Sequence, residues 1–294
     1  MNKLIVVLGQ TSSGKSEMAV KLAEKFKAEI ISADSRQVYK GMDIGTGKVT
    51  KKEMKDIPHY LLDVVSPKTT FTVVQYRKLA LKAINLIFKK NKTPIICGGT
   101  AFYIKALIDG ILIPEVKPDW QLRSKLEELS TKELFKKLKK IDPRRAKTIE
   151  KQNRRRLIRA IEIVIKTKNP VPLLDKSPLP YPVLIIGIKK SSKELKILIK
   201  KRLLKRLKQG MVDEVKKLRA SGVSWKRLDD FGLEYRYIAR HLKSGLPYAE
   251  MIELIQKESE HFAKRQMTWF KRDKRIHWVK NYKEAEKLTK KFLN

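Results

Sequence analysis

The chain has a single cysteine, Cys97, among 294 residues, which excludes an internal disulfide framework and any cysteine-based zinc site. Cys97 lies within Pro94-Ile95-Ile96-Cys97-Gly98, the setting of a buried strand residue acting as a small core hydrophobe rather than of a reactive thiol. No apolar run is long enough to span a bilayer. The stretch Met1 to Leu8 is too short in its apolar part for a secretory signal and has no cleavage pattern, so a cytoplasmic protein without a membrane partner is expected. Acidic residues are scarce: 31 Asp and Glu stand against 68 Lys and Arg, a formal net charge of +37. A field of that size attracts polyanions. Evenly scattered Lys would signal only a biased or heat-adapted surface, whereas clustered Arg favours nucleic acid, because guanidinium groups fork onto phosphates and stack on bases. Internal repeats and low-complexity linkers are also absent. Length and an apolar fraction of 42% suit one large domain with an insertion, or two smaller ones.

What is present begins with Gly9-Gln10-Thr11-Ser12-Ser13-Gly14-Lys15-Ser16, directly behind the apolar run Leu4 to Leu8. The pattern G-x-x-x-x-G-K-[ST] is that of a phosphate-binding loop: its glycines let backbone N–H groups curl around an oxyanion, its Lys reaches the terminal phosphate and its Ser ligates Mg²⁺. Apolar positions Ala19, Leu22, Ala23 and Phe26 predict a helix from about Ser16 to Lys27, with its N-terminus aimed at the same anion. A second short apolar run, Ala28 to Ser32, leads to Asp34 and completes a βαβ opening. Carboxyl ends of parallel strands line the ligand crevice, so Asp34 is expected near the loop. Its position is compatible with a Mg²⁺ partner, a general base or a cap for the following turn.

The segment Gln37 to Gly47 reads as a loop beside the crevice, and Ile57 to Val65 as extended or loop structure. Neither His59 nor Asp63 shows a catalytic spacing, so both are assigned hydrogen-bonded structural roles. Thr72 and Gln75 form a capping box ahead of a helix whose apolar face is Val73, Tyr76, Ala80, Ala83, Ile84 and Ile87. The next strand, Thr93 to Cys97, ends in Gly98-Gly99-Thr100 with no acidic residue. Motor ATPases of this architecture place an Asp on such a strand to hold Mg²⁺, so an ATPase is disfavoured.

From Pro118 strand signals stop for some sixty residues and helix signals follow one another, at Asp119, at the Ser130/Glu133 capping box and at Asp142-Pro143. Within this helical insertion Arg154, Arg155, Arg156 and Arg159 crowd one short helix, with only Glu162 beyond them, an arrangement suited to phosphate or RNA. Val183 to Ile188 resumes the sheet. In the following helix, capped by Ser191 and Glu194, Arg202 and Arg206 fall inside the apolar stripe of Leu195, Leu198, Ile199, Leu203 and Leu207. An inward Arg needs an anion, either a bound diphosphate or an internal salt bridge. Helices broken near Gly222 and Gly232 follow, and a long one closes the pattern from Tyr248 to Phe270, where Lys264, Arg265 and Gln266 precede Trp269 and Phe270. Basic residues interleaved with aromatics suit nucleic acid, and the alternative is that the aromatics are core. The fold class expected is α/β, a P-loop-type parallel sheet flanked by helices with a helical insertion: residues 1–115 and 181–294 forming the core, 116–180 the insertion.

Taken together, these motifs resemble the tRNA dimethylallyltransferase family, the bacterial tRNA isopentenyltransferases, over nearly the whole chain. The resemblance rests on the phosphate loop, on Asp34-Ser35-Arg36-Gln37-Val38-Tyr39, on Gly98-Gly99-Thr100 and on Asp142-Pro143 with Ala146. It continues through Arg155-Arg156 with Arg159 to Glu162, Gln209-Gly210 with Glu214-Val215, and Ala263 to Phe270. Glu150, Asn153 and Leu233 depart from the family's usual His, Asp and Tyr. The resemblance implies transfer of a dimethylallyl group from dimethylallyl diphosphate to the exocyclic amine of the adenosine 3′ of the anticodon in tRNA. It implies that Gly9, Gln10, Thr11, Ser12, Ser13, Gly14, Lys15, Ser16 and Arg202 hold the diphosphate, with Mg²⁺ on Ser16 and Lys15 stabilising the leaving group. Asp34 is then the general base and Thr11 a neighbouring hydroxyl in the reaction channel. Asp34, Ser35, Arg36, Gln37, Thr100 and Arg123 are implied tRNA contacts, with Arg154, Arg155, Arg156, Arg159, Lys264, Arg265 and Gln266 expected to join them around the anticodon stem-loop. A monomer is expected. Two other classes share the scaffold, a small-molecule adenylate prenyltransferase or nucleoside kinase, and a non-catalytic RNA-binding module.

Overall fold

The computed structural model describes residues 2–111, 114, 116–172 and 177–294. The chain divides into two compact units, one of residues 1–108 with 179–294 and one of residues 109–178. The second begins seven residues ahead of the boundary expected at 116 and ends two before 180.

The larger unit is built on a six-stranded parallel sheet of order β3-β2-β4-β1-β5-β6, with β1 Leu4–Gly9, β2 Ala28–Ser32, β3 His59–Tyr60, β4 Thr93–Gly98, β5 Val183–Ile188 and β6 Ile276–Val279. Its central strands are near-continuous apolar runs because both faces are covered. Alternate residues go to opposite faces. Leu4, Val6, Leu8, Ile31, Ile96 and Ile185 pack under the helices Val73–Lys89 and Ala101–Ile108, whereas Ile5, Val7, Ile30, Ile95, Cys97 and Ile186 pack under Lys15–Lys25 and Tyr282–Leu293. Cys97 is buried, and burial pushes its thiol up to about 11, so it is the inert core residue its surroundings suggest.

Four further helices, Met211–Ala220, Trp225–Phe231, Leu233–Ser244 and Tyr248–Phe270, gather Val38, Tyr39 and Met42 into a separate core. Five elements are not foreseen from sequence, among them the helices Lys51–Met54 and Ala101–Ile108. The short strand β3, expected only as extended or loop structure, pairs with β2 through Ile30 and Ile31. β6 and the helix Tyr282–Leu293 follow Phe270, the end of the last helix expected from sequence.

The smaller unit is helical among its described residues: Trp120–Glu128, Thr131–Ile141, Pro143–Thr148 and Arg154–Thr167. Their apolar stripes meet in a core of Leu126, Leu134, Leu138, Leu157, Ile158 and Ile161. The Ser130/Glu133 box and the Asp142 cap form as expected, the latter with Pro143 in the first turn.

Candidate active site

Parallel strands send their carboxyl ends to one edge, so the connections after β1, β2 and β4 leave the sheet together. After β1 the chain turns through Ser12 and Gly14, both at positive φ, and enters the helix Lys15–Lys25, whose N-terminus has no side-chain cap. Its first backbone N–H groups therefore face outward without an intrahelical acceptor. Two more polar groups in the loop, the Ser13 Oγ and the Gln10 Oε1, are buried with no partner among the described residues. Buried orphans of this kind mark a place where a ligand completes the hydrogen bonding.

The electrostatics carry the same sign. Burial pushes the Lys15 amine below its ordinary range, and the nearby Arg202 guanidinium lowers it further. Arg202 is depressed in turn by burial and by Arg206. Converging cations with uncapped N–H groups make an anion site.

The other loop residues have assigned work. Thr11 donates its backbone N–H to Gln266 Oε1 at 2.8 Å, while Gln266 Nε2 donates to the Gly99 carbonyl at 2.8 Å. Gln266 is 5% exposed, so its amide ties the phosphate loop to the turn after β4. That is a correction: it was expected on the tRNA surface, and it removes the Thr11 N–H from the set of loop amides open to an anion. Lys264 and Arg265, next to Gln266 on the same helix, are exposed, and Phe270 is core.

Asp34 follows β2. Its Oδ1 accepts from the backbone N–H of Arg36 at 2.8 Å and of Gln37 at 3.3 Å, so of the three roles its position allowed, the cap is realised. The Oδ2 takes no hydrogen bond from the described residues, which leaves it free for chemistry. Thr100 Oγ1 accepts from the Ser35 N–H at 3.0 Å, and the Thr100 N–H donates to the Ala33 carbonyl at 3.1 Å. Gly98 must lack a side chain here, because a Cβ would fall on the Ala33 carbonyl. Thr100 thus holds the 33–37 segment. Arg36 donates from Nε to the Phe231 carbonyl at 2.9 Å, and burial lowers its pKa. Gln37 Nε2 reaches the Gly47 carbonyl at 3.3 Å.

Of the two inward arginines, one meets an internal carboxylate among the described residues and the other does not. Arg206 forms the internal salt bridge, to Glu234 at 2.8 Å. Arg202 makes a single hydrogen bond among the described residues, from Nη2 to the Gly47 carbonyl at 3.1 Å, and is the one whose charge Lys15 feels. His59 and Asp63 are structural, as expected: His59 Nδ1 lies 2.8 Å from the Ile57 carbonyl, and Asp63 accepts from Lys48 at 2.6 Å.

In the helical unit the arginines separate. Arg123 donates twice to the buried Glu162, from Nε at 2.8 Å and Nη2 at 2.7 Å, and Arg159 donates to the same carboxylate at 2.5 Å. Burial would raise the Glu162 pKa, but these donors and the Asp119 N–H outweigh it and the carboxyl lies below its ordinary range. Arg123 and Arg159 are therefore structural partners before they are anything else. Arg154 donates to the Glu127 carbonyl at 2.9 Å; Arg155 and Arg156 are exposed, the latter beside Glu150 at 3.0 Å. Glu162 itself was passed over as a lone acid, although its spacing of three from Arg159 carried the signal.

The donor set also bears on metal. Among the described residues no group of three or more His, Cys, Asp or Glu is gathered to hold an ion. Mg²⁺ binds through one or two protein oxygens together with substrate phosphates and water, and the Ser16 hydroxyl in the first helical turn, with Asp34 after β2, fits that kind of holding.

A six-stranded parallel sheet with a loop of phosphate-binding pattern after β1, a converging Lys15 and Arg202, and the carboxylate of Asp34 after β2, two strands away, defines an α/β protein with an anion site and no ATPase-type acidic residue at the end of β4. Comparison with known proteins narrows the class. The family model described as IPP transferase matches residues 37–273. The tRNA dimethylallyltransferase of Acetivibrio thermocellus is 38% identical over 99% of this chain and 96% of its own length; that of Halothermothrix orenii is 39% identical over 99% and 93%. The crystal structure of a full-length tRNA isopentenylpyrophosphate transferase from Bacillus halodurans superposes with a TM-score of 0.74 at 32% identity, covering 100% of this chain and 96% of that one. A eukaryotic dimethylallyltransferase captured acting on tRNA gives a TM-score of 0.76 at 25% identity, over 92% of this chain and 70% of that one. The chain belongs to the IPP transferase family, and it is a transferase. Among the described residues, no helix is long and apolar enough to cross a membrane.

Proposed function

We propose that the chain transfers a dimethylallyl group from dimethylallyl diphosphate to the exocyclic amine of the adenosine 3′-adjacent to the anticodon in tRNA. The observation that carries this reading is the joint presence, at one sheet edge, of an anion site made by Lys15, Arg202 and the uncapped helix N-terminus, and of a carboxylate, Asp34, with one oxygen unengaged. The exocyclic nitrogen attacks the allylic carbon as the carbon–oxygen bond to diphosphate breaks; the electron pair leaves with pyrophosphate, and the nitrogen's proton passes to Asp34. Lys15, Arg202 and the loop N–H groups stabilise the charge that appears on the departing pyrophosphate, which is where electrostatic help is worth most. Ser16 would help hold Mg²⁺, which would supply further positive charge for the leaving pyrophosphate. Thr11 presents its hydroxyl from the loop. The adenine leaves its stack to reach the site, the splayed bases of the anticodon stem-loop are open to reading, and Arg155 and Arg156 in the helical unit, like Lys264 and Arg265 in the larger one, are exposed cations for RNA phosphates. The protein works as a cytoplasmic monomer.

The test is to follow prenyl transfer and ATP hydrolysis side by side on unmodified tRNA with Mg²⁺. Dimethylallyl transfer with negligible ATP turnover supports the reading; rapid ATP turnover without transfer sinks it.

A further inference from the structure

Beside the anion site lies a second polar cluster that the reaction as written does not use. Glu214, in the helix Met211–Ala220, is 8% exposed and fully engaged. Its Oε2 accepts from the backbone N–H of Asp43 at 2.8 Å and Ile44 at 2.6 Å; its Oε1 accepts from the N–H of Gly45 at 3.0 Å and from the Tyr235 hydroxyl at 2.7 Å. Three consecutive amides therefore wrap one carboxylate, an arrangement otherwise used to bind free anions. The carbonyls of the same loop are held from the other direction. Arg206 Nη1 donates to Gly45 at 2.6 Å while its Nη2 pairs with Glu234, and Arg202 Nη2 donates to Gly47. Two glycines make the approach possible: a Cβ on Gly45 would lie 2.6 Å from the Tyr235 ring, and one on Gly47, which sits at φ 59°, would collide with the Arg202 guanidinium.

A buried carboxylate with four donors is expensive to assemble and destructive to lose. Here three of the four donors belong to one short loop, and the fourth, Tyr235, ties the carboxylate to the helix Leu233–Ser244. The visible consequence is at Gly47, because the only hydrogen bond of Arg202 among the described residues ends there. A guanidinium on a long flexible stem gains little as an anion ligand unless its direction is set.

We infer that Glu214 is a positioning residue for the diphosphate: through the loop Asp43–Gly47 it sets the carbonyl that aims Arg202 at the anion held by Lys15. The inference rests on the function proposed above. Tyr235 is part of the same device, since burial and the adjacent carboxylate push its phenol far above the ordinary range and keep it a donor.

The test is a double-mutant cycle on the full chain, read as the affinity for inorganic pyrophosphate with Mg²⁺ by titration calorimetry. Glu214→Gln places an amide NH₂ among donors and should weaken binding roughly tenfold to a hundredfold, the worth of one charge-assisted contact. Arg202→Ala should do likewise. If Glu214 acts through Arg202, the two losses are not additive, and Glu214→Gln has no further effect once Arg202 is gone; a merely structural glutamate would weaken binding equally in both backgrounds. Tyr235→Phe, a milder change, should give a smaller loss with the same dependence on Arg202, and it decides the matter if Glu214→Gln fails to fold. Unchanged affinity in the folded variants, or additive losses, overturns the inference while leaving the proposed function standing. Failure of the unaltered chain to bind pyrophosphate overturns both.

Discussion

Asp34 shows what a residue's position in sequence can and cannot say. Its place after a second strand put it beside the phosphate loop, and three roles were open. The structure realises the cap on one oxygen, and this makes the chemical role separable. Asn at position 34 retains an acceptor for the Arg36 and Gln37 N–H groups but cannot take up a proton, so Asp34→Asn should fold normally and bind both substrates. Its single-turnover prenyl transfer should fall by about 10² to 10⁴, the usual worth of a general base. Measured across a Mg²⁺ series at saturating tRNA, that deficit should persist; recovery at high Mg²⁺ would reassign Asp34 to the metal, and a near-normal rate throughout would remove it from the chemistry. Arg202 and Arg206 were equally legible as inward cations. Which of them met a partner inside the fold was not, because Glu234 lies far along the chain and nothing in its local pattern points to Arg206.

Among elements, those with long apolar periodicity and explicit caps could be read directly, as in the helix after Thr72 and the insertion helix after Ser130. The short edge strands could not. Ile276-His277-Trp278-Val279 is four residues between charged stretches, and His59-Tyr60 is two; both are strands because a neighbour supplies the pairing, not because their own sequence demands it. β3 is fastened by a side chain: Tyr60 donates to the buried Glu29 at 2.6 Å, where Lys92 at 2.9 Å and Lys90 at 3.1 Å also bind. Burial alone would raise the Glu29 pKa, but these three donors outweigh it and the net shift is downward. The stabilisation is therefore complete above the unfolded value of about 4.3 and is lost as pH falls through the lower folded one. Glu29→Gln should cost about 1–2 kcal/mol in urea unfolding at neutral pH, held to that range because both lysines are half exposed. The difference from the unaltered chain should shrink at acid pH, and a pH-independent difference would contradict the account. In the insertion helix the division of arginines gives a second expectation. Arg155→Ala with Arg156→Ala should weaken tRNA binding and lower the slope of log affinity against log salt by roughly one unit per lost phosphate contact, with pyrophosphate affinity retained. An unchanged slope would make that surface a solvated face. Arg159 is left out of this test because its loss would expose Glu162 as an unpaired buried charge and report on stability instead.

For the molecule as a whole, the phosphate loop, the parallel sheet and the helical insertion were visible in the order of motifs, since each depends on residues close in sequence. The polar clusters around Glu214 and Gln266 were not, because each joins residues brought together only by folding; around Glu162 only the Arg159 pair is local in sequence, and Arg123 comes from 39 residues away. A net charge of +37 is far more than a diphosphate requires, and it accords with a polyanionic second substrate. The central claim, that the pocket and the charge serve one reaction, is tested most directly by mixing the chain with dimethylallyl diphosphate, Mg²⁺ and an anticodon stem-loop carrying an unmodified adenosine 3′ of the anticodon, and following the RNA by mass spectrometry. The account predicts one dimethylallyl unit on that adenosine and one pyrophosphate released with it, and no gain of mass when the adenosine is replaced by guanosine. Pyrophosphate release without modification of the RNA, or transfer to free adenosine monophosphate at a rate equal to that on the stem-loop, would contradict it.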